Sequence, residues 1–216
     1  MLAKGAGKMY GPGICRIGVF YDGSYFGYAQ RYFYHSAKLG WLDFRAFHIL
    51  LQEFIRSKEH GYSTYKVVYA AWFQGLPTVT QADERQLRND RNLHHDLMHA
   101  GIEIKPLPMS SALSEKGVDV ALAVDALQVG LRGLIDVAVL VSGDGDLIPL
   151  VRELMKNGVR VLITYFEYTD GESKSFANER LLSAANYELN VNQLENNKEF
   201  RSLFKSLFKG AYADKT

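Results

Sequence analysis

Val137-Ala-Val-Leu-Val-Ser-Gly-Asp-Gly-Asp146 decides the fold. Near-continuous apolar residues up to Val141 match a strand buried on both faces, the signature of a parallel sheet. Glycines and aspartates then end the strand abruptly, at the carboxyl edge where such sheets bind ligands. Gly143 and Gly145 are expected to allow a tight turn and the approach of a phosphate to the backbone.

Outward from this stretch, strands and helices alternate. Upstream, Ile14 to Tyr21 reads as the first strand and ends at Asp22-Gly23. The aromatic stretch Ser24 to Tyr34 is compatible with a helix or a lid. Asp43 to Lys58 is a helix, with Phe44, Phe47, Leu51, Phe54 and Ile55 as its apolar stripe. Tyr65 to Phe73 is a second strand, Thr80 to Ala100 a charged helix, Ile102 to Leu107 a third strand and Val118 to Leu131 a further helix. Downstream, Leu147 to Lys156 is a helix stopped by Gly158 and Val159 to Phe166 a fifth strand. A glycine- and serine-containing loop, a short helix near Asn178 to Ala185 and a short sixth strand at Tyr187 to Val191 follow. Such alternation predicts a doubly wound α/β domain with a parallel sheet. We divide the chain into a tail at residues 1–13, a domain at 14–191 and an amphipathic C-terminal segment at 192–216. Phe200, Leu203, Phe204, Leu207 and Phe208 of that segment share a face expected to cover the domain or a second subunit, which would make a homodimer. Membrane binding is the less favoured alternative.

Composition narrows the function classes. The 216 residues are 47% hydrophobic and 23% charged, as in a soluble globular protein, and no apolar run spans a membrane. A net charge of +1 means that any nucleic-acid contact comes from local patches. The single cysteine, Cys15, excludes an internal disulfide and a cysteine zinc cluster, and points to an intracellular, cytoplasmic setting.

The acidic residues carry the chemistry. Asp22 follows the first strand, Asp144 and Asp146 follow the fourth, and Asp119 opens a helix. Clustered carboxylates repel unless a cation offsets them, and oxygen-only ligands select Mg²⁺ or Mn²⁺. Such an ion activates water for phosphodiester hydrolysis. An aspartate after a strand also serves as a plain helix cap, and for Asp22 alone that reading stands level. Asp125, mid-helix, is either a structural partner of Lys116 or Arg132 or a support for metal ligands; we favour the first.

Tyr21-Asp22-Gly23-Ser24, Lys116-Gly-Val-Asp-Val-Ala-Leu-Ala-Val-Asp125 and Leu140-Val-Ser-Gly-Asp-Gly-Asp-Leu147 occur in this order, leading into Pro149-Leu-Val and Gly158-Val-Arg-Val161. Together they resemble the NYN domain in its LabA-like branch, within the PIN-like nuclease superfamily, over roughly Ile14 to Val191. The resemblance implies a PIN-like three-layer α/β/α fold with a mainly parallel central sheet, a divalent metal and RNA as substrate, here expected single-stranded. Its acidic positions fall on Asp22, Asp119, Asp144 and Asp146; beside them, Asp125, Ser142 and Lys116 are candidate supporting residues. The chain departs from the family pattern at Tyr25, where asparagine is common, at Leu147, where phenylalanine is usual, and at Asn186, where aspartate is frequent.

Arg85, Arg88 and Arg91 recur every three residues and could track a phosphate backbone. The interleaved Asp83, Glu84, Asp90 and Asp96 favour a solvated, ion-paired face instead. Tyr25 is the aromatic placed to contact RNA. His95 and His99, at i and i+4, lack the glutamate of a zinc protease motif and read as an exposed face. Lys4-Gly-Ala-Gly-Lys8 is no phosphate loop: Met9 follows the lysine and no strand precedes it. The leading expectation is a metal-dependent endoribonuclease; the alternative is a catalytically weak RNA-binding or regulatory module that keeps the acidic pocket. A dehalogenase-type phosphohydrolase needs Asp-x-Asp after strand one, where this chain has Asp22-Gly-Ser24.

Overall fold

The computed structural model describes residues 13–76, 83–109, 117–171 and 173–210. Six parallel strands form the central sheet: β1 (Ile14–Asp22), β3 (Thr64–Leu76), β4 (Glu103–Pro108), β5 (Val137–Val141), β6 (Arg160–Tyr165) and β9 (Tyr187–Asn190). Their order is β4-β3-β1-β5-β6-β9. A short β2 (Trp41–Leu42) pairs with β10 (Phe208–Lys209), and β7 (Tyr168–Asp170) forms a hairpin with β8 (Ser173–Ser175). The helices are α1 (Gly23–Arg31), α2 (Phe44–Lys58), α3 (Glu84–His99), α4 (Val118–Leu131), α5 (Ile148–Lys156), α6 (Glu179–Ala184) and α7 (Arg201–Ser206).

Alternation along the central strands divides the core in two, because successive side chains point to opposite faces. Ile17, Val19 and Tyr21 of β1 join Val137, Val139 and Val141 of β5 on one face, under α1, α2 and α7. Phe20, Ala138 and Leu140 join the other, under α4, α5 and α6, with Leu122, Val151 and Leu181. The result is the expected three-layer α/β/α sandwich. All five residues of β5 are buried.

Three segments left partly open by the sequence are resolved by their packing. The aromatic run after Asp22 is a helix that continues into a π-helical turn at Tyr32–Ser36, with Phe26 and Phe33 in the core. The loop after β6 holds the β7–β8 hairpin. The C-terminal segment forms a shorter helix than its amphipathic run suggests, and Phe200, Phe204 and Leu207 enter the same core as β1. Among the described residues no helix is long and apolar enough to cross a membrane.

The sheet order reverses at β1. The chain leaves β1 for β3 and β4 on one side, and β5, β6 and β9 lie on the other. Tyr21 pairs with Val141, so Asp22 and Ser142 step off adjacent strands side by side, at the switch point where a crevice opens in doubly wound sheets.

Candidate active site

Asp22 ends β1 and caps α1: its Oδ1 accepts the Tyr25 N–H at 3.0 Å. Gly23 lets the helix start directly over β3, since a Cβ there would lie 2.5 Å from the Trp72 indole nitrogen. On the neighbouring strand, buried Ser142 accepts the Asp144 N–H at 3.2 Å through its Oγ. Asp144 Oδ1 in turn accepts the Asp146 N–H at 2.9 Å and caps a 3-10 turn, Gly145–Leu147, that runs into α5. Both aspartates are exposed, and among the described residues no lysine or arginine forms an ion pair with either.

Asp119 is exposed in the first turn of α4. That helix starts at the carboxyl edge: Val118 belongs to the same buried cluster as Phe20, Phe73 and Leu147, and α4 touches β1, β3 and the 3-10 turn. Four aspartates from three elements thus stand at the carboxyl edge of the sheet. They do not stand as a formed metal cage. Among the described residues no group of three or more His, Cys, Asp or Glu side chains is arranged to hold an ion. The donor chemistry suits a hard divalent cation, whereas Asp22 and Asp144 are oriented by the main-chain N–H groups they cap.

The two loop glycines make room for protein, where the sequence suggested room for phosphate. A Cβ on Gly143 would lie 2.8 Å from the Phe176 carbonyl oxygen and 3.1 Å from Ala177 Cα; one on Gly145 would lie 2.6 Å from Asn178 Nδ2. The Asn178 N–H donates to the Gly143 carbonyl at 2.9 Å. The segment after β8 is therefore laid directly on the acidic loop. Sequence reasoning missed it, because nothing in Ser175-Phe-Ala-Asn178 announces a long-range contact.

The remaining sequence-derived candidates fall in different places. Tyr25 is mostly buried: its hydroxyl accepts the Phe166 N–H at 2.9 Å and sits 3.4 Å from the Phe166 carbonyl. Burial pushes its pKa up to about 12. The phenol thus ties α1 to the end of β6, and its polar end is spent there. Asp125 accepts the Tyr69 hydroxyl at 2.6 Å and lies 3.8 Å from Lys105 Nζ, contacts of a structural partner made with other residues than Lys116 or Arg132. Lys116 lies outside the described residues. Asn186 is at the opposite, amino edge, where its Oδ1 accepts the Val161 N–H at 2.8 Å. Leu147, the last residue of the 3-10 turn, is buried.

Arg85, Arg88 and Arg91 are exposed on α3, which packs on β4, two strands away from the β1–β5 crevice. The expected ion-paired face is not formed: among the described residues none of the three arginines makes an ion pair. His95 and His99 stand on the same helix with their Nε2 atoms 3.0 Å apart.

The fold is similar to that of a protein of unknown function from Vibrio parahaemolyticus. The two share 20% sequence identity and superpose with a TM-score of 0.52, over 85% of this chain and 94% of the other. A comparison with curated proteins finds no match. Residues 16–191, from Arg16 in β1 to the residue after β9, match the NYN domain. That span contains the whole acidic edge and nearly the whole sheet, and on this ground the chain belongs to the NYN domain family.

Proposed function

We propose that the chain is a metal-dependent endoribonuclease that hydrolyses RNA at the β1–β5 crevice. The observation that carries this reading is the placement of Asp22, Asp144 and Asp146 at the carboxyl ends of two adjacent parallel strands, with Asp119 opening α4 beside them. Membership of the NYN family supports a nuclease-like role. Mg²⁺ or Mn²⁺, held by these four carboxylates, would supply charge neutralisation and an acidified water. The chain's own part is to present the acids from anchored elements. Asp22 and Asp144 are fixed by main-chain N–H groups, Ser142 holds the turn, and no basic side chain competes for Asp144 or Asp146 among the described residues.

A second reading has its own support. The carboxylates do not converge into a three-ligand group as they stand, which suits an RNA-binding module that retains an acidic pocket without strong catalysis. One experiment separates the two. Purified protein is incubated with single-stranded RNA in Mg²⁺, in Mn²⁺ and in EDTA. Cleavage that requires the ion supports the nuclease; cleavage undiminished in EDTA refutes the metal mechanism, and no cleavage with any divalent ion leaves the binding module.

A further inference from the structure

Phe176 is the side chain that this site has not yet used. It is 68% exposed, the most exposed of the large apolar residues described. An isolated phenylalanine on a surface signifies nothing, since much of any protein surface is apolar. Its location is what matters. Its own carbonyl oxygen rests against Gly143, Ala177 behind it is buried, and the next N–H, from Asn178, is bonded to Gly143. On the other side, Ser175 Oγ donates to the Phe166 carbonyl at 2.8 Å. The hairpin leading to it is held as well. Tyr168 stacks on Tyr32 at 4.0 Å between ring centroids, and Ser36 Oγ donates to Asp170 at 2.5 Å.

The backbone around Phe176 is thus pinned on one side against the loop that carries Asp144 and Asp146 and on the other against the end of β6, while its ring is left in water. Burying such a ring is favourable, so leaving it in water forgoes that stabilisation. Lys174, two positions earlier, and Arg180, at the start of α6, are both exposed. Neither forms an ion pair with another described residue. An exposed apolar ring flanked in sequence by two cations, on a segment laid against the acidic loop, matches what an unpaired nucleotide offers: a base to stack and phosphates on either side.

We infer that Phe176 is a stacking platform for an unpaired base, so that the site takes single-stranded RNA and positions it beside Asp144 and Asp146. The inference rests on RNA being the ligand of this crevice. A stacked base must be free of its complement, so the ring selects against duplex by geometry. The rigid footing of the segment means that little ordering is required on binding.

The test measures binding, apart from cleavage. Phe176→Ala and Phe176→Trp are made in an Asp144→Asn background and titrated with a short single-stranded RNA and with the corresponding blunt duplex. The single strand carries 2-aminopurine at each position in turn, whose fluorescence falls when it stacks. Phe176→Ala is expected to weaken single-strand binding roughly 5- to 150-fold, the range for loss of one base–aromatic stack. Phe176→Trp should retain it, duplex binding should not change, and quenching at one position should disappear only in the alanine variant. Equal single-strand affinity for all three proteins overturns the inference. So does an equal loss for strand and duplex, or a parent that binds no single-stranded RNA. If stacking is found but no divalent ion supports cleavage by the wild type, the nuclease reading fails and the stacking platform stands. The ring is exposed, so the variants should melt with the parent.

Discussion

His48 offers a quantitative test of the aromatic core that underlies the site. It lies on α2, 8% exposed, with its ring 6.1 Å from that of Tyr21, and its Nε2 has no hydrogen-bond partner. Burial lowers its pKa from 6.5 to about 4. An unfolded imidazole takes up a proton below about pH 6.5, the buried one only below about pH 4. Between those values the unfolded state binds more protons, so stability rises with pH and is lost on acidification through this window. Below about pH 4 both states are protonated and the loss is complete. At about pH 5 the loss relative to neutrality is about 2 kcal/mol, or about 4–8 °C in Tm for a chain of this size. His48→Phe removes the titration and keeps an aromatic ring beside Tyr21. Thermal melts of both proteins at about pH 7 and about pH 5 should show the wild type falling further, by that margin. Carboxylates titrate in both chains and cancel in the difference. If the two melting temperatures fall in parallel, the imidazole is solvated or bonded in the folded protein and the argument from burial is wrong.

Other expectations concern the crevice. Asp144→Asn should abolish cleavage while the turn survives, because the asparagine carbonyl can still accept the Asp146 N–H and asparagine caps as well as aspartate; its Tm should respond less to Mg²⁺ than that of the wild type, and an equal response would make Asp144 a turn residue only. Gly143→Ala should destabilise by about 1–3 kcal/mol, since its Cβ meets backbone at Phe176, and should weaken RNA binding along with it; a neutral effect on urea denaturation would show that the segment does not rest on the loop. Arg88→Ala should reduce the salt dependence of single-stranded RNA binding by about 0.7 in slope if α3 extends the RNA path, and an unchanged slope assigns that face to solvent.

The strands of this domain were readable because burial on both faces leaves a continuous apolar signal. Val137 to Val141 is the clearest instance, and with its aspartates it located the sheet edge. The helix caps at Asp22 and Asp43 were equally local: a short acid before an apolar run, accepting an N–H three residues on. What escaped detection was non-local. Gly143 and Gly145 looked like room for a phosphate, since a sequence shows that a side chain is missing but not what fills the space. Ser175-Phe-Ala-Asn178 fills it, from the far side of β6. Tyr25 looked like a ring facing the site, and its hydroxyl is instead held at Phe166, which no spacing rule connects to it. The arginines of α3 stand among acids in sequence, whereas ion pairing depends on side-chain geometry that intervals alone do not fix.

The junction between the two short strands β2 and β10 has a consequence for how the protein matures. The Asp43 N–H donates to the Leu207 carbonyl at 2.7 Å, Lys209 pairs with the Asp43 carboxylate, and Phe200, Phe204 and Leu207 complete the layer that holds Tyr21 and Phe47. This side of the sheet therefore stays open to water until residues 200–209 have been synthesised, although its strands and α2 are made much earlier. Before those residues emerge, a nascent chain would expose an aromatic-rich surface, a state prone to self-association and suited to chaperone binding.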